Sequence, residues 1–232
     1  SFNFFSKYLN KDRVKSHPSD ISKYWLEAQK RAEVGGNFAF FKTHSANLAI
    51  KKFNFTAPET TRGLIYMVRD PRDVAISWAR HQNKDQDTTI DEMINKNTIS
   101  RTSDSYKGIP EYICRWDQHY MSWERLDVPK LIIKYEDLLH NTKKILNNIV
   151  IFFTKKYNFQ INNQELIVNN ILESTQFKKL QKNEKDHGFA ESFGKTFFKQ
   201  GKANRWKKIL NKNQIYKIEK EFGAIMEKLD YL

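Results

Sequence analysis

Three hydrophobic runs along the chain end in polar or charged residues. Residues 37–44, 63–69 and 129–135 are rich in β-branched or aromatic side chains up to that point. Short apolar runs of this kind are typical of strands that are buried on both faces of a parallel sheet. We therefore predict three strands, each of which leads into a turn at the carboxyl edge of one sheet.

Amphipathic patterns predict helices before, between and after these strands. The predicted helices begin at Pro18, near residue 90 and at Ile109, and others cover residues 145–152, 165–172, 175–180 and 214–229. The polar stretches 82–105 and 182–194 are predicted loops, the first with the short helix near residue 90. Strand–helix units in this order predict a three-layer α/β fold with a central parallel sheet, in a single domain over residues 1–232.

The second unit carries the best candidate for anion binding. Arg69 follows the strand directly, Asp70 can cap the next helix and Pro71 suits its first turn. Because ligands bind at the carboxyl edge of open α/β sheets, Arg69 and the hydroxyl of Ser77 could together hold a phosphate. The same residues also fit a capped helix that carries only a surface ion pair.

The first unit carries a candidate for proton transfer. Lys42 and His44 alternate at the end of the predicted strand, so they lie on one side of an extended segment. An imidazole has a pKa near neutrality, which suits a general base. A structural or merely exposed histidine is the alternative. Likewise, the aromatic residues at helical spacing between Tyr112 and Trp123 fit either a core face or the lining of an acceptor pocket.

Composition narrows the class of protein and of partner. The chain has 40 Lys and Arg against 27 Asp and Glu, a net charge of +13 that favours an anionic partner: nucleic acid, an acidic membrane or a phosphorylated small molecule. Its single cysteine, Cys114, excludes a disulfide within the chain and favours a reducing, cytoplasmic location. No apolar run approaches a membrane span, and the six histidines lack metal-ligand spacing, so we expect neither a membrane span nor a metal.

Four motifs, in order, resemble those of the sulfotransferases that use 3′-phosphoadenosine 5′-phosphosulfate (PAPS). They are Phe41-Lys42-Thr43-His44, the run from Arg69 to Ser77, Tyr135-Glu136-Asp137-Leu138 and the late basic stretch from Phe198 to Lys207. Thr175-Gln176-Phe177 is similar to a further family motif that packs on adenine. The form of residues 42–47 looks more like bacterial members than like animal cytosolic ones.

The resemblance implies a P-loop nucleotide-hydrolase-like fold, and transfer of a sulfuryl group from PAPS to a hydroxyl or amine of a small-molecule or glycan acceptor. PAP, the desulfonated nucleotide, would be the product, and no metal would be needed. His44 would be the general base, and Lys42 would neutralise charge on the bridging oxygen. The remaining residues would bind the nucleotide: Arg69, Ser77, Lys199, Gln200 and Gly201 around the 3′-phosphate, and Tyr135, Thr175 and Phe177 around the adenosine.

Two departures from the family pattern bear on these expectations. The chain has no counterpart of the family's first strand and 5′-phosphosulfate loop, so we expect a segment of a few tens of residues to precede Ser1 in the natural protein. The Lys199-Gln200-Gly201 stretch has one basic residue where two are usual.

The alternatives to a sulfotransferase are an inactive or truncated nucleotide-binding relative, a basic nucleic-acid-binding protein without a recognisable binding module, or a P-loop kinase. The oligomeric state is left open.

Overall fold

The computed structural model describes residues 5–32, 39–95, 99–100, 109–189 and 196–232. The described chain is a helix-rich α/β protein that divides into two compact units. Unit 1 comprises Ser1–Leu64, Asp70–Lys130 and Leu210–Leu232, and unit 2 comprises Ile65–Arg69 and Leu131–Ile209.

The helices of the described residues follow one another in chain order. They are α1 (Lys11–Ser16), a 3₁₀ helix (Pro18–Tyr24), α2 (Trp25–Lys30), α3 (Pro71–Gln82), α4 (Gln86–Ile94), α5 (Trp116–Glu124), α6 (Tyr135–His140), α7 (Thr142–Tyr157), α8 (Gln164–Ser174), α9 (Phe177–His187), α10 (Trp206–Ile209) and α11 (Lys212–Lys228).

The strands of the described residues form three pairs. They are β1 (Ala49–Ile50) with β2 (Phe53–Asn54), β3 (Leu64–Val68) with β6 (Lys130–Lys134), and β4 (Ile99–Ser100) with β5 (Glu111–Tyr112). The first and last pairs are antiparallel, in the register Ala49↔Asn54 and Ile99↔Tyr112. β3 and β6 form the parallel pair, so the carboxyl ends of the two predicted central strands meet at one edge.

The core of unit 1 is aromatic near the start of the chain. The Trp25 ring meets Phe55 edge to face at 5.1 Å between centroids and Tyr112 at 5.8 Å. Further along, α11 buries Ile218, Phe222 and Met226, which lie four residues apart on one face. The amphipathic pattern predicted for residues 214–229 is therefore confirmed as a helix that packs through its apolar face.

Unit 2 is built from the β3–β6 pair and the helices that follow it. Val68 and Ile133 are both 3% exposed, and α6 begins directly at Tyr135 after β6. The prediction that β3 is buried on both faces is wrong, because Ile65 and Met67 are 37% and 48% exposed. Successive side chains of a strand point to opposite faces, and an apolar run does not encode which faces neighbouring elements will cover.

Two other predicted elements differ from the structure. Residues 39–44 form no strand, and residues 37 and 38 lie outside the described ones. The helix predicted from Ile109 begins only at Trp116, because residues 111–112 pair as β5 and Cys114 has a positive φ of 61° that interrupts a helical path.

The predicted polar loops are partly helical. α4 begins at Gln86, where the side chain of Asp85 accepts a hydrogen bond from the backbone N–H of Thr88. α9 continues to His187, so residues 182–187 of the second predicted loop are helical. Three of these six residues are Lys or Glu, which have a high intrinsic helix propensity that the loop prediction did not weigh.

Candidate functional site

The segment that carries His44 is held by α5 in unit 1. His119 Nε2 donates a hydrogen bond to the backbone carbonyl of His44 at 3.2 Å, and Trp123 Nε1 donates to the carbonyl of Ser45 at 3.0 Å. The two donors are four residues apart, so they lie on the same face of α5. The backbone after Thr43 is therefore positioned in part by side chains of a distant helix.

Further hydrogen bonds complete this attachment. Asn47 N–H donates to Ser122 Oγ at 2.9 Å, and Ala46 N–H donates to the backbone carbonyl of Tyr112 at 2.8 Å. Ser45 Oγ accepts from the N–H of Tyr112 at 3.2 Å, and Ser45 is buried. Residues 44–47 thus have a fixed backbone conformation, which is what a catalytic side chain at this position would require.

The side chains of Lys42 and His44 are exposed. An exposed imidazole on a positioned backbone can exchange protons with a bound substrate or with solvent. His119 differs, since burial lowers its pKa and so favours the neutral ring. Nε2 carries the hydrogen in this contact, because the carbonyl of His44 can only accept. His119 is thus a positioning group for the His44 backbone.

Helix α3 begins as the sequence predicts. Asp70 caps it by accepting from the backbone N–H of Arg72 at 2.9 Å, and Pro71 occupies its first turn. Ser77 is partly buried in α3, and its hydroxyl donates to the backbone carbonyl of Val74 at 3.1 Å. A phosphate contact by Ser77 would require this hydroxyl to turn away from its own helix.

Sequence reasoning missed the role of Arg72, which lies inside unit 1. Its guanidinium binds Asp70 at 2.7 Å, Glu219 at 2.6 Å and the backbone carbonyl of Tyr231 at 2.6 Å. Burial alone would lower the pKa of Arg72, but the hydrogen bonds and charges of Asp70 and Glu219 outweigh it and raise the pKa above its ordinary value. Nothing in the sequence near Arg72 distinguishes it from a surface arginine, since Glu219 lies far along the chain.

In unit 2, Arg69 contacts two further segments that, like its own, the family resemblance implicates in nucleotide binding. Its guanidinium lies over the Tyr135 ring at 4.4 Å from the centroid, and Nη2 donates to the backbone carbonyl of Lys202 at 3.0 Å. Arg69 and Tyr135 follow β3 and β6 directly, so the parallel pairing of these strands brings them together.

Gly201 packs on the ring of Phe177. Its φ is +54°, and a Cβ added there would lie 2.6 Å from Phe177 Cε2 and 2.8 Å from Cδ2. Both the backbone conformation and the close approach of the ring therefore favour glycine at this position. Two motifs that are separated by more than twenty residues in sequence thus lie in contact.

The basic loop, defined here as residues 197–202, is also bonded to α9. Glu184 accepts from the backbone N–H groups of Phe197 at 2.5 Å and Phe198 at 2.9 Å, and Gln181 Nε2 donates to the carbonyl of Phe198 at 2.8 Å. Sequence reasoning missed the roles of Glu184 and Gln181. A polar sequence of this kind predicts solvent-exposed side chains and does not show that they bind the backbone of another segment.

The remaining predicted nucleotide-binding residues lie at the surface of unit 2. Lys199 and Gln200 are exposed within the basic loop. Thr175 is exposed at the end of α8, where its hydroxyl donates to the backbone carbonyl of Ile171 at 2.6 Å. Thr175 is therefore tied to its own helix.

A cleft of about 650 Å³ lies in unit 1 beside residues 46–49 and the C-terminal half of α5. Its polar lining includes Asn47, Ser122 and Arg125. Within the described ranges, no group of three or more His, Cys, Asp or Glu side chains could hold a metal ion, and no described helix is long and apolar enough to cross a membrane.

Comparison with known proteins assigns the family. Residues 27–230 match the family model described as the sulfotransferase domain, and the chain belongs to this family. No curated protein sequence matches it significantly.

Solved structures give the fold. The mouse sulfotransferase SULT7A1, determined in complex with PAP, matches with a TM-score of 0.52 at 20% sequence identity, over 70% of this chain and 57% of the mouse chain. Retinol dehydratase, determined with androsterone and the inactive cofactor PAP and also with retinol and PAP, matches with a TM-score of 0.52 at 20% identity, over 72% of this chain and 48% of its own. The chain therefore has the sulfotransferase fold and spans about half the length of these structures.

Proposed function

We propose that this chain binds PAPS and transfers its sulfuryl group to a hydroxyl or amine of a small-molecule or glycan acceptor. The observation that supports this most directly is the contact of Arg69 with Tyr135 and with the backbone of Lys202. Three segments that the family resemblance assigns to the nucleotide thus converge on one guanidinium. The family assignment and the PAP in the related crystal structures support the same donor.

Each proposed nucleotide contact has a chemical reason. Arg69 offers a forked, permanently charged donor, and the backbone N–H of Gly201 and the ammonium of Lys199 add further donors for the 3′-phosphate. Ser77 and Gln200 would add neutral hydrogen bonds. Tyr135, Phe177 and Thr175 would border the adenosine through two aromatic rings and a hydroxyl.

The proposed transfer step needs one proton acceptor. The acceptor oxygen or nitrogen forms a bond to sulfur, the bond between sulfur and the bridging oxygen of PAPS breaks, and PAP leaves. His44 takes the proton that the acceptor loses, and Lys42 offsets the negative charge that develops on the bridging oxygen. The positioned backbone of residues 44–47 supports this role for His44.

The setting of the reaction is also proposed. The single cysteine supports a reducing, cytoplasmic compartment, and the form of residues 42–47 supports a bacterial source. Retinol dehydratase was crystallised with androsterone and with retinol, which supports a small-molecule acceptor here.

Calorimetric titration of the chain with PAP tests the nucleotide roles. Arg69→Ala is expected to weaken PAP binding at least about tenfold, since hydrogen bonds to charged groups contribute about 1.5–3 kcal/mol. The matched control is Arg62→Ala, which removes an exposed arginine of unit 1 and should leave the affinity unchanged. His44→Ala should keep the PAP affinity and lower sulfuryl transfer by about a hundredfold, the scale of general-base catalysis.

Three results would reject the proposal. An unaltered chain that does not bind PAP would exclude the donor, and equal PAP affinity of Arg69→Ala would place the phosphate elsewhere. Salt-dependent binding of oligonucleotides without any response to PAP would favour a nucleic-acid-binding protein instead.

A further inference from the structure

Glu184 and Gln181 hold the start of the basic loop from one side of α9. They are three residues apart, so both side chains lie on the face of α9 that meets the loop. Glu184 accepts two consecutive backbone N–H groups, at 2.5 and 2.9 Å, while Gln181 donates to the carbonyl of Phe198 at 2.8 Å. A single stretch of backbone is thus bonded through its donors and through its acceptor.

The other end of the loop is held by Arg69, which follows β3, and by the first residue of α9. Arg69 donates to the carbonyl of Lys202 at 3.0 Å, and Gly201 packs on Phe177. Between the two attachments lie Lys199, Gln200 and Gly201, which carry the proposed phosphate contacts. A loop that is ordered before the ligand arrives loses less conformational entropy on binding, so its attachments influence affinity without touching the ligand.

We propose that Glu184 and Gln181 are positioning residues for recognition of the nucleotide's 3′-phosphate, acting through the backbone of the basic loop; this inference rests on the proposed function. The carboxylate charge of Glu184 is directed at two backbone N–H groups, so it orders the loop that offers Lys199 and Gly201 to the phosphate. Removing either side chain reduces the contribution of the 3′-phosphate to binding and leaves the remainder of the nucleotide site intact.

Two nucleotides that differ only in the 3′-phosphate separate this role from a general structural one. The chain is titrated with PAP and with adenosine 5′-phosphate, and the ratio of the two dissociation constants measures recognition of the 3′-phosphate. Glu184→Ala and Gln181→Ala are compared with Glu173→Ala, which removes an exposed carboxylate that pairs with Lys179 of α9 at 2.9 Å. Glu173→Ala removes the same negative charge as Glu184→Ala from a residue that contacts α9, but Glu173 forms no hydrogen bond to the basic loop.

We expect Glu184→Ala to reduce the preference for PAP about tenfold, equivalent to 1.4 kcal/mol, with unchanged affinity for adenosine 5′-phosphate. Gln181→Ala removes one neutral bond and should reduce the preference by a smaller factor, about threefold. Glu184→Gln keeps one acceptor oxygen but turns an NH₂ group towards a backbone N–H, so its preference should lie between those of the unaltered chain and Glu184→Ala. Glu173→Ala should match the unaltered chain.

The outcomes distinguish this inference from the proposed function. An unaltered chain without preference for PAP overturns both. A normal preference in the unaltered chain that persists in Glu184→Ala, or in Glu184→Gln where the alanine variant does not fold, overturns only the role of Glu184. Equal loss of affinity for both nucleotides would show that α9 supports the whole site and would also overturn the specific role.

Discussion

Replacing Gly201 by alanine tests whether the basic loop and Phe177 are coupled as the structure indicates. An alanine Cβ would lie 2.6, 2.8 and 3.1 Å from three atoms of the Phe177 ring, well inside ordinary carbon–carbon contact of about 3.5–4.0 Å. Gly201 also has a φ of +54°, which a non-glycine residue rarely adopts. Either the loop or the ring must therefore move in Gly201→Ala.

The magnitude follows from two separate costs. A non-glycine residue in the left-handed region costs about 1–2 kcal/mol, and forcing an extra methyl group into a packed contact typically costs about 1–3 kcal/mol. Displacement of the loop relieves both, and it also carries Lys199 and the Gly201 N–H away from the proposed phosphate position. We therefore expect PAP affinity to fall at least about tenfold, which corresponds to 1.4 kcal/mol.

The assay combines PAP titration with a double-mutant cycle. Gly188→Ala is the matched control, because Gly188 also has a positive φ of 75° but has no atom within 4 Å of an added Cβ. This control should lower the thermal midpoint and leave PAP affinity unchanged. In a Phe177→Leu background the smaller side chain makes room for the methyl group, so Gly201→Ala should cost less there than in the unaltered chain.

Two results would refute this reasoning. If Gly201→Ala and Gly188→Ala change PAP affinity equally, positive-φ strain explains the effect and the contact with Phe177 does not. If the cost of Gly201→Ala is the same with Phe177 and with leucine at that position, the two side chains are not coupled and the packing argument fails.

Two further predictions concern stability. Arg72→Leu should lower the free energy of unfolding by about 3–5 kcal/mol in chemical denaturation, because it leaves the buried carboxylate of Asp70 without its ion-pair partner; a change below about 1 kcal/mol would contradict this. Burial lowers the pKa of His119, so below the ordinary value of 6.5 the unfolded chain takes up a proton that the folded chain does not. This contribution of His119 to the free energy of unfolding is complete above pH 6.5 and is lost as the pH falls towards the lowered pKa, by up to about 1.4 kcal/mol per pH unit. His119→Gln should therefore flatten the dependence of the thermal midpoint on pH. An unchanged slope would exclude His119 as the source of that dependence.

Local sequence signals predicted the units that carry Arg69 and Tyr135. The β3 run is bounded by a helix start in which Asp70 caps and Pro71 fills the first turn, and both features are written in adjacent residues. β6 is likewise followed at once by a helix, α6, although no side chain caps that helix. A strand and the helix that directly follows it are specified largely by neighbouring residues in the sequence. The position of Arg69 at a strand end was therefore predictable.

The segment before His44 was not predictable in the same way. Its apolar residues Phe40 and Phe41 favour a strand by composition, yet they are 74% and 61% exposed. The backbone that follows is held by His119 and Trp123, which lie 75 and more residues away. Side chains that form hydrogen bonds to a distant backbone leave no periodic pattern in the sequence. For the same reason, the bonds of Glu184 to the backbone of the basic loop were not predicted.

The distribution of charge bears on the choice between nucleic acid and a small anion. Sixteen of the 40 Lys and Arg residues and seven of the 27 Asp and Glu residues belong to unit 2, so just over a third of the chain carries +9 of the net +13. Part of the negative charge of unit 2 is already engaged, since Glu184 binds backbone N–H groups and Glu173 pairs with Lys179. A positive field around the proposed nucleotide residues raises the local concentration of a multiply charged anion and weakens with added salt. The proposed binding of the donor nucleotide would therefore account for the basic composition without a nucleic-acid partner.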